Sequence, residues 1–245
     1  MTHSDSTTSP IATGAPQPRS VAAIVVAAGR GQRFGAAENK VLLPLAGTPI
    51  WVHSVLALQA SPAVGQVVLV VRPCDRSRLE AEASRLGVAM VDGGAERYDS
   101  VKAGLDWLVQ NERLTPWVAV HDAARPLVSR PDLDAVFATA VAHHAAILGT
   151  PVRGTLKRGR ADASAIATVD RTDLWEALTP QVFAASVLQS AYTRHRGRPV
   201  TDDAELVERT GVSVCLVPGS AENLKITCAE DLQIAEAILS RRNAS

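Results

Sequence analysis

Cysteine is scarce in this chain of 245 residues: Cys74, Cys215 and Cys228 are far apart, odd in number and in no CxxC pair. That spacing gives no disulfide framework and no zinc-ligand set, and it fits a reduced, cytoplasmic setting. Net charge is missing too, because 25 Lys and Arg balance 25 Asp and Glu. Nucleic-acid and membrane-surface binding usually show as a basic excess, so neither partner is expected. No run approaches the roughly 20 apolar residues that cross a bilayer, so a soluble protein is expected. The opening "MTHSDSTTSPIATGAPQPRS" has neither the basic start nor the apolar centre of a signal peptide. It reads as a disordered tail over residues 1–20.

What is present is a repeated alternation. "VAAIVVAAG" (21–29), "GQVVLVVRP" (65–73) and "WVAVHDAARP" (117–126) are short, continuous apolar runs, the pattern of strands buried on both faces. "GVAMVDGG" (87–94) is a weaker version. Between them, "ERYDSVKAGLDWLVQ" and "SRPDLDAVFATAVAHH" have helical periodicity, the second with a Pro–Asp first turn. Strands alternating with helices predict an α/β fold, Rossmann-like, with a mostly parallel twisted sheet flanked by helices. After about residue 150 the pattern loosens into two strand-like pieces around a polar, basic middle, which predicts a projecting β-arm over about 152–176. The final helix is expected to open on a Thr227–Glu230 capping box. With no internal repeat and no linker, residues 21–245 read as a single domain.

In parallel sheets, ligands bind beyond the carboxyl ends of the strands. At the first such end, "VVAAGRGQRFGAAENK" (25–40) breaks an apolar run into glycines 29, 31 and 35, with Arg33 and Lys40 among them. Glycine-loop N–H groups cradle phosphate oxygens and the two cations add full charge, although such a turn can also be a plain connection. The P-loop spacing is absent, and Phe34 interrupts the dinucleotide fingerprint. At the third strand end, "VHDAARP" offers Asp122 and Arg125, either as a structural salt bridge or with Asp122 as a Mg²⁺ ligand. His121 raises a Ser–His–Asp triad, but no GxSxG accompanies it. In "DGGAERYDS", Asp92–Gly93–Gly94 reads as a turn, with Arg97 and Ser100 starting the next helix. Thr201 or Asp202 in "VTDDAE" reads as an N-cap. Lys225, between Leu224 and Ile226 in a strand-like context, faces either solvent or a charged site.

Taken in order, "AAGRGQRFGAAENK", "DGGAERYDSV", "VHDAARP", "VDR", "ALTPQ", "TDDA" and "NLKIT" resemble the sugar-phosphate cytidylyltransferase family, over about residues 20 to 240. The resemblance is close to those members that act on methylerythritol phosphate in non-mevalonate isoprenoid synthesis. It implies a nucleotidyltransferase that binds CTP, Mg²⁺ and a sugar or polyol phosphate. Members acting on ribitol 5-phosphate tend to read His-Asp-Ala-Val-Arg where this chain has "HDAARP".

By the same resemblance, the backbone of Ala27, Ala28, Gly29 and Gly94, with Ser100, holds the cytidine. Gly31, Arg33, Lys40 and Lys225 contact the triphosphate, and Asp122 binds Mg²⁺. Arg125, Thr155, Arg171, Thr179 and Thr201 receive the acceptor. Catalysis is assigned to Arg33, Lys40, Arg171 and Lys225, without a general base. Thr155 and Arg171 lie on the arm, which is expected to cross to the other subunit of a homodimer. Many members read Pro-Lys where this chain has Asn39–Lys40, a change expected to loosen the loop while keeping its charge. A dinucleotide-binding oxidoreductase and a non-catalytic nucleotide-binding module are the readings from other classes.

Overall fold

The computed structural model describes residues 14–29, 39–195 and 197–244. Gly31 and Arg33 lie outside the described residues. Strand β1 (Val21–Val26) is followed by a small hairpin of β2 (Pro44–Leu45) and β3 (Thr48–Pro49), then helix α1 (Ile50–Gln59). Next come β4 (Val64–Val71), α2 (Arg76–Arg85), β5 (Ala89–Asp92), α3 (Arg97–Gln110), β6 (Trp117–Asp122) and α4 (Arg130–His143). The second half contains β7 (Ala145–Pro151), β8 (Leu156–Gly159), β9 (Ala165–Val169) and β10 (Trp175–Ala184). It closes with α5 (Ala185–Arg194), α6 (Asp203–Glu208), β11 (Cys215–Pro218) and α7 (Ala229–Asn243).

Seven strands form one sheet in the order β11-β7-β10-β6-β1-β4-β5. Every neighbouring pair is parallel except those of β10, which runs antiparallel to both β6 and β7. The expected Rossmann-like α/β architecture is therefore present. Strand β1 lies inside the sheet, between β6 and β4, because its side chains suit burial on both sides. Val21, Ala23 and Val25 enter one core, with Trp51, Leu58, Leu79, Leu133 and Phe137 of α1, α2 and α4. Ala22 and Ile24 enter the other, with Val101, Leu105 and Leu108 of α3 and Leu188 of α5. Each large aliphatic buried in this way contributes about 1.5–3 kcal/mol.

Close packing fixes where α3 starts. A Cβ on Gly104 would meet Ile24 Cγ2 at 2.8 Å, so only glycine lets α3 lie this near β1 and β4. That approach places the first turn of α3 beside the carboxyl ends of those strands. Ser129 caps α4 by accepting from the Asp132 N–H at 3.2 Å. The arm is the two-stranded antiparallel sheet of β8 and β9, where the sequence placed it.

Two local expectations shift. The N-cap of α7 is Cys228, not Thr227; Asp231 accepts from the Thr227 N–H (2.7 Å), Thr227 hydroxyl (2.6 Å) and Cys228 N–H (3.0 Å). A carboxylate one residue further on outcompetes Glu230 because it reaches all three donors. At the other end, Arg19 is already anchored, its N–H on Pro62 O (2.8 Å) and its guanidinium on Gly65 O (3.2 Å). The attached body thus extends a little before residue 21.

Candidate active site

The carboxyl ends of β1 and β6, the first turn of α3 and the segment before α7 enclose a cleft of about 530 Å³. Ala27, Ala28 and Gly29 form one wall directly after β1, and Gly94 and Ser100 form another at the start of α3. Lys40, Lys225 and Arg97 supply its positive charge, and Asp122 and Glu96 its negative charge. Gly93 holds the second wall tight: a Cβ there would lie 2.7 Å from Ala28 Cβ and 2.8 Å from Ser100 Oγ. All described members of the expected cytidine-binding set therefore meet in one place.

Asp122 is the electrostatic centre. Its Oδ2 lies 2.7 Å from Lys225 Nζ and 3.9 Å from Arg125 Nε, and its Oδ1 lies 3.5 Å from Arg97 Nε. Burial alone would push the carboxyl up; Arg97, Lys225 and Arg125 outweigh it and hold the group well below the usual carboxylate range. Asp122 is therefore ionised at any physiological pH. The Leu224–Lys225–Ile226 segment is an extended loop rather than a strand, pinned by the Ile226 N–H on Ala124 O at 2.8 Å. Ile226 is fully buried, so alternation turns Lys225 away from the core and into the cleft. Of the two readings open for Lys225, the charged site is the one observed.

Arg97 is the residue the sequence reading left out of the site. Its Nη1 lies 2.6 Å from Asp203 Oδ2, and Asp203 Oδ1 accepts from Tyr192 OH at 2.6 Å. Burial would lower the guanidinium's proton affinity, but Asp203 and Asp122 raise it above its usual value. The signal was the spacing of Arg97 and Ser100, three apart on a helix and so on one face. Its partner, Asp203, stands 106 residues away and carried no local cue. Asp202 is the N-cap of α6, as one of the two expected candidates, accepting from the Glu205 N–H at 2.9 Å.

The expected acceptor-binding residues separate into three places. Thr179 is buried below the floor, where its hydroxyl oxygen accepts from the Asp122 N–H (3.1 Å) and lies 3.0 Å from His121 Nδ1. Its hydroxyl is thus committed inside the protein. Arg125 is 6 % exposed and donates to Asn223 O at 2.8 Å, supporting Asp122 from beneath. Thr201 is exposed, with its N–H and hydroxyl both on Glu205 Oε2 at 2.7 and 2.9 Å. Thr155 and Arg171 stand on the arm, both exposed and outside the residues lining the cleft. Arg171 there donates to Arg153 O.

His121 is fully buried, with Nε2 3.1 Å from Arg125 O. A carbonyl can only accept, so Nε2 carries the proton and Nδ1 accepts from the Thr179 hydroxyl. Burial holds the ring's pKa down to about 4, so it stays neutral and structural.

Among the described residues no cluster of three or more His, Cys, Asp or Glu is placed to hold a metal. Mg²⁺ does not require one, since it commonly takes one or two carboxylates and draws its other ligands from phosphates and water. Asp122 fits that role: it is ionised, and among the described residues Oδ1 meets Arg97 Nε at the long distance of 3.5 Å. Asn39, expected to loosen the loop, is instead 1 % exposed and fully engaged; its side-chain N–H groups reach Ala27 O and Asp75 Oδ2, both at 2.9 Å.

The chain is similar to known proteins in both sequence and fold. A protein from Rhodopirellula baltica named 2-C-methyl-D-erythritol 4-phosphate cytidylyltransferase is 50% identical over 233 residues, covering 90% of this chain and 95% of its own. A protein of the same name from Pelotomaculum thermopropionicum is 44% identical over 229 residues, covering 91% and 95%. The crystal structure of the Thermus thermophilus protein of that name superposes with a TM-score of 0.74 at 32% identity, over 89% of this chain and 98% of that one. The family model IspD, 2-C-methyl-D-erythritol 4-phosphate cytidylyltransferase, matches residues 21–241. The chain belongs to the 2-C-methyl-D-erythritol 4-phosphate cytidylyltransferase family.

Proposed function

We infer that the chain transfers the cytidylyl group of CTP to 2-C-methyl-D-erythritol 4-phosphate, releasing pyrophosphate and forming 4-diphosphocytidyl-2-C-methyl-D-erythritol for isoprenoid synthesis. The carrying observation is the gathering of Lys40, Lys225 and Arg97 in one cleft with the open backbone of Ala28 and Gly29. An oxygen of the acceptor phosphate attacks the α-phosphorus of CTP. The bond from that phosphorus to the bridging oxygen breaks, and pyrophosphate leaves with the electron pair.

The acceptor phosphate is ionised at neutral pH, so the reaction calls for no general base. His121, directly before Asp122, is sealed below the floor of the cleft. Catalysis is positioning and charge neutralisation. Lys40, together with Arg33, stabilises charge growing on the α-phosphoryl oxygens. Lys225 steers the triphosphate, and Arg97, clamped by Asp203, holds Asp122 in place. Asp122 would hold a Mg²⁺ brought in with the triphosphate, which would supply charge neutralisation at the phosphates. The backbone of Ala28, Gly29 and Gly94, with Ser100, orients the cytidine.

Thr155 and Arg171 enter this scheme from a second copy of the chain, whose arm would close the acceptor side. Leu156, Ile166 and Leu174 on the arm are 37%, 51% and 38% exposed, which supports an apolar contact there. The same reading places the enzyme in the cytoplasm, where CTP is made.

The test is pyrophosphate release from CTP and Mg²⁺ with 2-C-methyl-D-erythritol 4-phosphate or ribitol 5-phosphate as acceptor. Release with the first alone is expected. A preference for ribitol 5-phosphate would keep nucleotide and mechanism but replace the acceptor, and silence with both would overturn the enzymatic reading.

A further inference from the structure

Asn39 stands between Lys40, on the lip of the cleft, and a buried polar knot outside it. Its side chain uses both donors and its acceptor. The two N–H groups go to Ala27 O and Asp75 Oδ2, both at 2.9 Å, and Oδ1 accepts from the Val41 N–H at 3.4 Å. A carbonyl and a carboxylate can only accept, so the amide has one possible orientation. Asp75 is 4 % exposed and is itself fixed by Arg72, whose Nε and Nη2 lie 2.7 and 3.0 Å from Oδ2 and Oδ1. Arg72 directly follows β4 and Ala27 directly follows β1. One side chain therefore ties the residue before Lys40 to the ends of two central strands.

We propose that Asn39 is a positioning residue for Lys40, acting by fixing the backbone at residue 39. The proposal rests on Lys40 being the cation of the phosphoryl site given above. A buried, fully paired amide is far more than a turn residue requires. Lys40 opens a 3₁₀ turn of Lys40–Leu42 whose N-cap is Asn39, so the direction in which its side chain leaves the backbone follows from that cap. The backbone at Asn39 has φ −69°, within the range that a proline ring imposes, and an extended ψ of 117°. Proline is thus a second way of holding the same backbone, through a covalent ring instead of hydrogen bonds.

The test is steady-state kinetics of the full chain with CTP, Mg²⁺ and the acceptor for Asn39→Ala, Asn39→Pro, Lys40→Ala and the double variant Asn39→Ala/Lys40→Ala. Asn39→Ala is expected to lower kcat about tenfold, because small misplacements of a reacting group are costly, while KM for CTP changes little. Asn39→Pro is expected to recover most of that loss. The double variant is expected to be no slower than Lys40→Ala, since nothing remains to be positioned.

Additive losses in the double variant, or an Asn39→Pro that folds but is as slow as Asn39→Ala, would overturn the proposal. If Asn39→Ala does not fold, Asn39→Pro decides, and turnover near that of Lys40→Ala counts against it. Loss in Lys40→Ala with wild-type kcat in Asn39→Ala removes the positioning role alone. Wild-type kcat in Lys40→Ala removes Lys40 from the reaction and takes both readings down.

Discussion

The floor of the cleft and the arm carry similar polar residues but hold them in opposite ways. Asp122 is 8 % exposed and meets Lys225, Arg97 and Arg125, while its N–H and its neighbour His121 share the Thr179 hydroxyl. Two of these partners are themselves braced, Arg97 by Asp203 and Arg125 by Asn223 O. On the arm, all residues of β8 and β9 except Val169 are exposed. The floor's geometry is therefore set by the sheet beneath it, at a cost of desolvation that three cations offset. The arm's geometry is set only by its own hairpin, which is marginal in isolation. A site that draws on both can be preorganised on one side and must be completed by docking on the other.

The largest expected effect exploits that division. Lys225→Ala removes a floor cation and Arg171→Ala removes an arm cation, and each variant alone is expected to lose turnover about 10²-fold or more. If the arm serves the partner's site, mixing and re-pairing the two variants places both defects in one site of each hybrid dimer and neither in the other. About a quarter of wild-type activity should return, as random pairing in a two-fold dimer dictates. Activity that stays at the level of the single variants after re-pairing would show that the arm serves its own chain.

A smaller effect separates the floor from everything around it by pH. His121 is fully buried and its pKa falls from 6.5 to about 4, chiefly through burial. Between those pH values the unfolded chain binds a proton that the folded chain does not, so stability must fall as pH falls. The loss is about 3 kcal/mol across the window, at 1.36 kcal/mol per pH unit. Asp122 contributes in the other range. Its folded pKa is depressed, so its stabilisation is present above the ordinary carboxylate pKa of 3.8 and disappears only below it. Urea midpoints measured from pH 7 to pH 4 should slope downward in the wild type and flatten in His121→Asn. Equal slopes in both proteins would mean that the ring is not the titrating group.

The two regions also differed in how far the sequence revealed them. Strands β1, β4 and β6 were readable because continuous apolar runs bounded by Gly or Pro have few other uses, and the arm because a polar hairpin interrupts that rhythm. The strand ends alone pointed to an anion site at the glycine loop, and the expectation of cytidine at Ala27, Ala28, Gly29, Gly94 and Ser100 came from the family resemblance. What stayed hidden was pairing over long separations. Nothing near Thr179 indicates that its hydroxyl is spent on His121 and Asp122, 58 and 57 residues earlier. Nothing near Arg97 points to Asp203. Asn39 hid its partner for the same reason: as a lone departure from proline it reads as loosening, and its hydrogen bond to Asp75, 36 residues on, has no local cue.

The smallest effect is expected where the arm is changed without touching its cations of interest. Lys157 Nζ donates to Thr168 Oγ1 at 2.6 Å across β8 and β9, with both side chains exposed. A cross-strand pair in water contributes only a few tenths of a kcal/mol, since each group bonds to solvent equally well once released. Lys157→Ala should therefore shift global unfolding by less than about 0.5 kcal/mol in urea titrations. The floor gives less latitude, because Asp122, Arg125, Thr179 and His121 are buried away from water. A loss of several kcal/mol at Lys157 would mean that the arm is held as firmly as the floor, and the asymmetry between the two regions would disappear.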